Sequence, residues 1–299
     1  MIYAQNESGD DFTEPDTPSA HFSILISYSK NPICSRHRKA CVLAMKVPLF
    51  ELCVTTIEAA RAAESGGADR IELCSQLSVG GVTPSIDLMT QAIAALSIPV
   101  YVLIRPRTGN FVFSPAEFGQ MKVQIQQAKA AGAAGVAVGV LLPNGRVDVE
   151  RTRELVALAK PMKITFHRAF DETSDVAEAL EDVIRTGVDC LLTSGGEPDV
   201  LAGAESIAKL RKLARGRLDV MAGGGLQLTS LVEVLRRTGV SHLHGSLSRR
   251  PGSHSDGGPK HNGHSLRSGP VVFEADVHEA VRLLHREFAA REFGTQAAQ

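Results

Sequence analysis

Tryptophan is absent from this chain, and tyrosine occurs only three times in 299 residues. That scarcity argues against a surface for stacking bases. A formal net charge of −1 removes the electrostatic footprint expected of a nucleic-acid binder or of a protein held on an anionic membrane. No uninterrupted apolar stretch approaches the ~20 residues that a membrane span needs. The expected partners therefore include no nucleic acid and no membrane. The outer faces of the helices leave room for a homo-oligomer, which sequence does not distinguish from solvated surface.

The cysteines are few and scattered: Cys34, Cys41, Cys53, Cys74 and Cys190. An odd set of this kind is a poor disulfide framework, and no apolar signal core opens the chain. Free thiols in a reducing, cytoplasmic setting are expected. Two further absences narrow the chemistry. No lysine stands at the end of an apolar run, and Lys163 opens one instead, which weighs against a Schiff-base mechanism. After the first run the chain reads Val54-Thr55-Thr56, nothing like the glycine-rich phosphate turn of a dinucleotide-binding sheet.

Residues 1–46 begin acidic (Glu7, Asp10, Asp11, Glu14, Asp16) and turn basic at Arg36-His37-Arg38-Lys39. Apart from the short apolar run Ile24 to Ile26 they carry no periodicity, so a disordered or loosely attached extension is expected. From residue 47 to 299 a regular beat replaces it. Apolar runs at 49–54, 70–74, 100–105, 135–140, 163–167, 190–193, 219–222 and 242–245 alternate with alanine- and leucine-rich stretches of helical spacing. Helices are expected over Thr56 to Ser65, Pro84 to Leu96, Pro115 to Ala131 and Asp175 to Arg185, opened by Thr83-Pro84, Ser114-Pro115 and Ser174-Asp175. Gly67, Gly132, Gly187 and Gly239 are placed to close helices.

Strand alternating with helix implies parallel βαβ units, and eight such units match a (β/α)8 TIM barrel. A doubly wound open sheet is the weaker alternative, since its phosphate turn is missing. After the last run, residues 246–270 are dense in Ser, Gly, His and Arg. That length exceeds an ordinary βα connection and predicts a flexible loop.

Barrel chemistry stands at the C-terminal ends of strands. Those ends carry Glu51 and Cys53, Glu72 and Cys74, Arg105-Pro106-Arg107, His167-Arg168 with Asp171 close behind, Thr193-Ser194-Gly195-Gly196, Gly223-Gly224-Gly225 and His244. Strand alternation puts Glu51 and Cys53 on one face, and likewise Glu72 and Cys74. Arg105, Arg107 and Arg168 either pair with the two glutamates in a salt-bridge network or clamp a small carboxylate or phosphate. Ser194 and Gly224 would then help to hold that anion, with Glu51 and His244 lining the same mouth. His167 has an ordinary pKa near neutrality, so it is the first candidate for proton transfer, with Glu72 and Asp171 as neighbouring acids. Cys53 and Cys74 read three ways: as small buried apolar residues, as thiolates for a soft ion such as Cu(I), or as part of a zinc site completed by His167 or His244.

Several segments, quoted in order, resemble the CutC copper homeostasis family. They are Glu51-Leu52-Cys53-Val54, Gly67-Ala68-Asp69-Arg70-Ile71-Glu72-Leu73-Cys74, Gly80-Gly81-Val82-Thr83-Pro84-Ser85, Ile104-Arg105-Pro106-Arg107, Thr165-Phe166-His167-Arg168-Ala169-Phe170-Asp171, Leu192-Thr193-Ser194-Gly195 and Met221-Ala222-Gly223-Gly224-Gly225. The resemblance runs from about Leu49 to the end of the eighth strand. It implies a (β/α)8 barrel, a cytoplasmic location and a link to copper handling, with Cys53 and Cys74 at the positions proposed to hold Cu(I). The chain departs from the family pattern at Gly245, where Ser or Cys is usual, and at His242, where an acid is common. The expected function is copper homeostasis through Cu(I) binding in the cytosol. The alternative is a barrel enzyme acting on a small anionic substrate.

Overall fold

Alternate residues of the eight short strands face two different surroundings, and that division builds the molecule. The structure, a computed structural model, describes residues 47–248 and 271–296. Strands β1 (Leu49–Val54), β2 (Arg70–Leu73), β3 (Val100–Leu103), β4 (Gly135–Val138), β5 (Lys163–Phe166), β6 (Cys190–Thr193), β7 (Asp219–Gly223) and β8 (His242–Gly245) are all parallel and close into a barrel in sequence order. Closure pairs β1 with β8, Glu51 lying opposite His244. The fold is the (β/α)8 barrel that the sequence predicts.

Outward residues such as Phe50, Leu52, Val54, Ile71, Leu73, Val136, Val138, Phe166 and Leu191 form one continuous apolar core with the helices. This core buries the hydrophobic side of every strand and is the main source of stability. The inward residues are of another kind. Glu51, Arg70, Glu72, Tyr101, Thr165, Cys190 and His244 are buried inside the barrel, beside small apolar groups of cysteine, leucine, alanine and methionine. A barrel lumen filled with ionisable side chains is costly unless they are partnered.

The surrounding helices are α1 (Ile57–Ser65), α2 (Ile86–Ala95), α3 (Pro115–Ala131), α4 (Val149–Ala159), α5 (Val176–Thr186), α6 (Ala204–Ala214), α7 (Leu231–Thr238) and α8 (Glu274–Gln296). Helix α3 starts with a full capping box between Ser114 and Glu117, with Pro115 in its first turn, and ends at Gly132 in the left-handed conformation with φ 91°. Two helix starts differ from expectation. Ser85 caps α2 in place of Thr83, and Asp175 caps α5 in place of Ser174. Thr83 has another task, since its hydroxyl accepts the backbone N–H of Arg105 at 2.8 Å and donates to Gln124.

The described residues belong to one compact unit. The expected N-terminal extension over residues 1–46 lies outside them, with Cys34 and Cys41, and so does the greater part of the expected flexible loop, residues 249–270. Among the described residues no helix is long and apolar enough to cross a membrane.

Candidate functional site

Parallel register sets the first contact at the barrel mouth. Cys53 of β1 lies opposite Glu72 of β2, and Cys74 follows immediately beyond the end of β2. Both thiols point inward, and their Sγ atoms are 3.3 Å apart. Cys74 is fully buried and Cys53 nearly so. The hydrogen bond with Cys74 and then burial push the Cys53 sulfur well above its ordinary pKa, so Cys53 rests as a thiol.

One layer deeper, Glu51 is clasped from two sides. Arg70 donates to Oε2, and Nδ1 of His244 lies 2.7 Å from Oε1. Burial favours a protonated Glu51, but the His244 hydrogen bond and the Arg70 charge outweigh it and hold this carboxyl below the usual range. The Arg70 guanidinium also stacks over the Tyr101 ring at 4.4 Å. His244 faces a second acid, its Nε2 lying 3.9 Å from Glu72 Oε2. Burial lowers the pKa of His244, yet its bond to Glu51 and the charges of Glu72 and Glu51 raise it overall. Glu72 moves upward, chiefly through burial. Glu72 and His244 therefore compete for one proton inside the lumen. Ligand atoms of Cys53, Glu72 and His244 all lie within 4.8 Å of one another, the single group of this kind among the described residues.

Cys53, Cys74, Glu72 and His244 line a cavity of about 220 Å³. Leu103, packed against the two cysteines, lines it as well, and the rest of the lining is cationic and apolar: Arg105, Arg168, His167, Phe111, Leu192 and Gly224. His167 is seated by three contacts. Its Nδ1 accepts the N–H of Ala169 at 3.1 Å, its ring packs on Phe111 at 5.0 Å between centroids, and Gly139 leaves room for its Nδ1–Cε1 edge. A nitrogen that accepts carries no hydrogen, so the neutral ring bears its proton on Nε2. Burial, assisted by the Arg105 charge, pushes its pKa down to about 3. The neutral-pH titration expected of His167 is therefore overturned. At pH 7 it is an uncharged hydrogen-bond donor and not a proton acceptor.

The three arginines expected to clamp an anion divide. Arg105 is buried and lines the cavity, its Nη atoms donating to the carbonyls of Gly81 at 3.0 Å and Gly109 at 2.6 Å. Arg168 lines it too, donating from Nε to Asp171 at 2.8 Å and from Nη2 to Ser194 at 3.0 Å. Arg107 does not line it. Its donors go to Glu117, Asn110 and Val112, tying the β3 loop to the start of α3.

Asp171, expected among the acids of proton transfer, is instead a fastening point beside the cavity. Its carboxylate accepts from Arg168, Thr193, the N–H and hydroxyl of Ser194 and the N–H of Gly196. Ser194 is fully buried in that knot. Glu51 likewise supports the cavity from beneath, as an acceptor for Arg70 and His244.

Sequence reasoning overlooked two residues. Arg70 shares the inward parity of Glu72, two positions away, and alternation alone points it at Glu51. Gly139 closes a strand end that offers no reactive group, yet a β-carbon there would stand 2.5 Å from His167 Cε1. Its signal is a glycine in an otherwise apolar run.

Comparison with known proteins adds a lineage to this geometry. The sequence profile of the CutC family matches residues 48–249. A human copper homeostasis protein cutC homolog is 42% identical over 221 residues, covering 74% of this chain and 80% of the human protein. A family protein CutC from Mesorhizobium japonicum is 40% identical over 199 residues, covering 67% of this chain and 77% of its own length. Among solved structures, the putative copper homeostasis protein CutC from Streptococcus agalactiae superposes with a TM-score of 0.64 at 29% identity, covering 67% of this chain and 98% of that one.

Proposed function

The chain belongs to the CutC family, and from that premise we propose that it binds Cu(I) through Cys53 and Cys74 and serves copper homeostasis in the cytosol. The observation that carries this reading is the 3.3 Å separation of the two sulfurs. A soft monovalent ion accepts two thiolates, and a pair already in contact loses little freedom on binding it. Glu72 and His244 stand beside Cys53 as harder donors. They can take the protons that thiolate formation releases, because each already sits next to a group with which it shares one. The names of its relatives, which speak of copper homeostasis, support the same reading.

The donor set fits copper better than structural zinc. A closed zinc site uses four ligands, typically all Cys or His. Here the two sulfurs are joined by one imidazole, of His244, and by the carboxylate of Glu72, a hard donor outside the usual structural-zinc set. X-ray absorption at the copper edge of the anaerobically loaded protein tests the assignment. Two sulfur neighbours are expected, and a shell of nitrogen and oxygen alone would refute it.

A further inference from the structure

In the cavity that the thiols also line, two buried polar atoms have no partner: Nε of Arg105 and Nε2 of His167. Both residues line the cavity and both are more than nine-tenths buried. An unsatisfied buried donor is costly, and two on residues that line one cavity signal a missing acceptor. His167 cannot turn to satisfy itself, because its Nδ1 is held by Ala169 and its Nδ1–Cε1 edge lies on Gly139. Arg105 cannot withdraw either, with Gly81 and Gly109 holding its Nη atoms and its guanidinium 4.5 Å over Phe111. A third donor stands beside them. Arg168 lies flat on Gly224, where a β-carbon would come within 2.8 Å of Cζ. Its Nη1 makes no hydrogen bond among the described residues, while Nε and Nη2 are engaged.

We propose that this wall binds a short carboxylate, its oxygens accepting from Nε2 of His167, Nε of Arg105 and Nη1 of Arg168. All three groups donate and none accepts, which selects an anion over a neutral or cationic ligand. Charge selects the class. Arg168 is neutralised by Asp171, whereas Arg105 touches only carbonyl oxygens and an aromatic face. Arg105 has no bonded counter-ion in this wall, Glu172 acting on it only at a distance, so a monoanion matches it, and a doubly charged phosphate would leave excess charge in a lumen that already holds Glu72. Size points the same way, since about 220 Å³ is below the roughly 300–1,000 Å³ of pockets for drug-sized ligands. The site shares no residue with the thiol pair, so it stands whether or not copper binds at the thiols.

The test uses the full chain with ring-¹⁵N-labelled histidine. Acetate, lactate, inorganic phosphate and chloride are added at matched ionic strength while the His167 Nε2–H resonance is followed. That resonance is assigned by its loss in His167→Phe, which keeps a ring on Phe111. Acetate and lactate are expected to shift it saturably in the millimolar range, with chloride giving no saturable shift. In Arg105→Lys, which lacks Nε–H, at least a tenfold weaker response is expected. Melting curves of both variants establish that they fold; should Arg105→Lys not fold, lactate binding to His167→Phe, read by calorimetry, is expected to fall by the same factor. Phosphate binding more tightly than lactate would overturn the carboxylate assignment. Carboxylate binding undiminished in the variants, or no saturable response at all, would overturn the site.

Discussion

Gly139 and His167 fit each other on neighbouring strand ends: the histidine ring occupies the space in which any β-carbon on residue 139 would lie, 2.5 Å from Cε1. The tautomer of His167, and with it the donor character of one cavity wall, depends on this glycine. Gly139→Ala is expected to cost about 1–3 kcal/mol as overpacking. The melting temperature should fall by several degrees, and the His167 Nε2–H signal should move. A variant with unchanged stability and ring spectrum would show that the ring is seated otherwise.

His167 also gives the fold a pH dependence. In the folded chain its pKa is about 3, against about 6.5 when unfolded. Between those values the unfolded chain binds a proton that the folded chain refuses. Stability therefore falls as pH drops from about 6.5 towards 3, by about 1.4 kcal/mol per pH unit from this residue alone, and is unaffected by it above that window. Urea unfolding at pH 7 and pH 5 should show the wild type losing about 2 kcal/mol more than His167→Phe. Equal losses would contradict a buried neutral imidazole.

Glu51 is the keystone of the charges beneath the cavity. Glu51→Gln leaves Arg70 buried without its counter-ion and replaces one of the two oxygens that serve Arg70 and His244 with an N–H donor. The expected cost is about 3–5 kcal/mol. Replacing both members with apolar residues, as Glu51→Leu with Arg70→Met, should be less harmful than the single change, because no charge is then stranded. Chemical denaturation of the two variants checks the order.

Asp171→Asn loosens the hub that holds Arg168, Thr193, Ser194 and Gly196. An amide retains one acceptor oxygen but opposes the remaining donors with its own N–H groups, so a loss of about 2–3 kcal/mol is expected. Lactate binding should weaken as well, because Arg168 loses the partner that fixes its direction. Loss of stability with lactate affinity intact would separate Arg168 from the anion site.

Most of the fold is legible in the chain because the outward residues of each strand are apolar and glycines or caps punctuate the units. Ser114-Pro115 and Gly132 mark α3 to the residue. The start of α2 is hidden because Thr83 looks like a cap yet is spent on the Arg105 backbone and Gln124. At the site, alternation predicts that Cys53 and Cys74 share the lumen with two acids. It misplaces Arg107 because β3 ends at Leu103, and beyond that point the chain turns toward Glu117. The protonation of His167 is invisible in sequence, since Phe111, Gly139, Ala169 and Arg105 meet around it only after three strands have closed.

The central claim is that Cys53 and Cys74 form one soft-ion site, and anaerobic Cu(I) titration against a competing chelator tests it most directly. The protein with Cys53→Ser and Cys74→Ser together is the comparison. One Cu(I) per chain at a dissociation constant below ~1 nM, lost in the double variant, is the predicted result. Binding that is weak in the wild type and unchanged in the double variant would contradict the account.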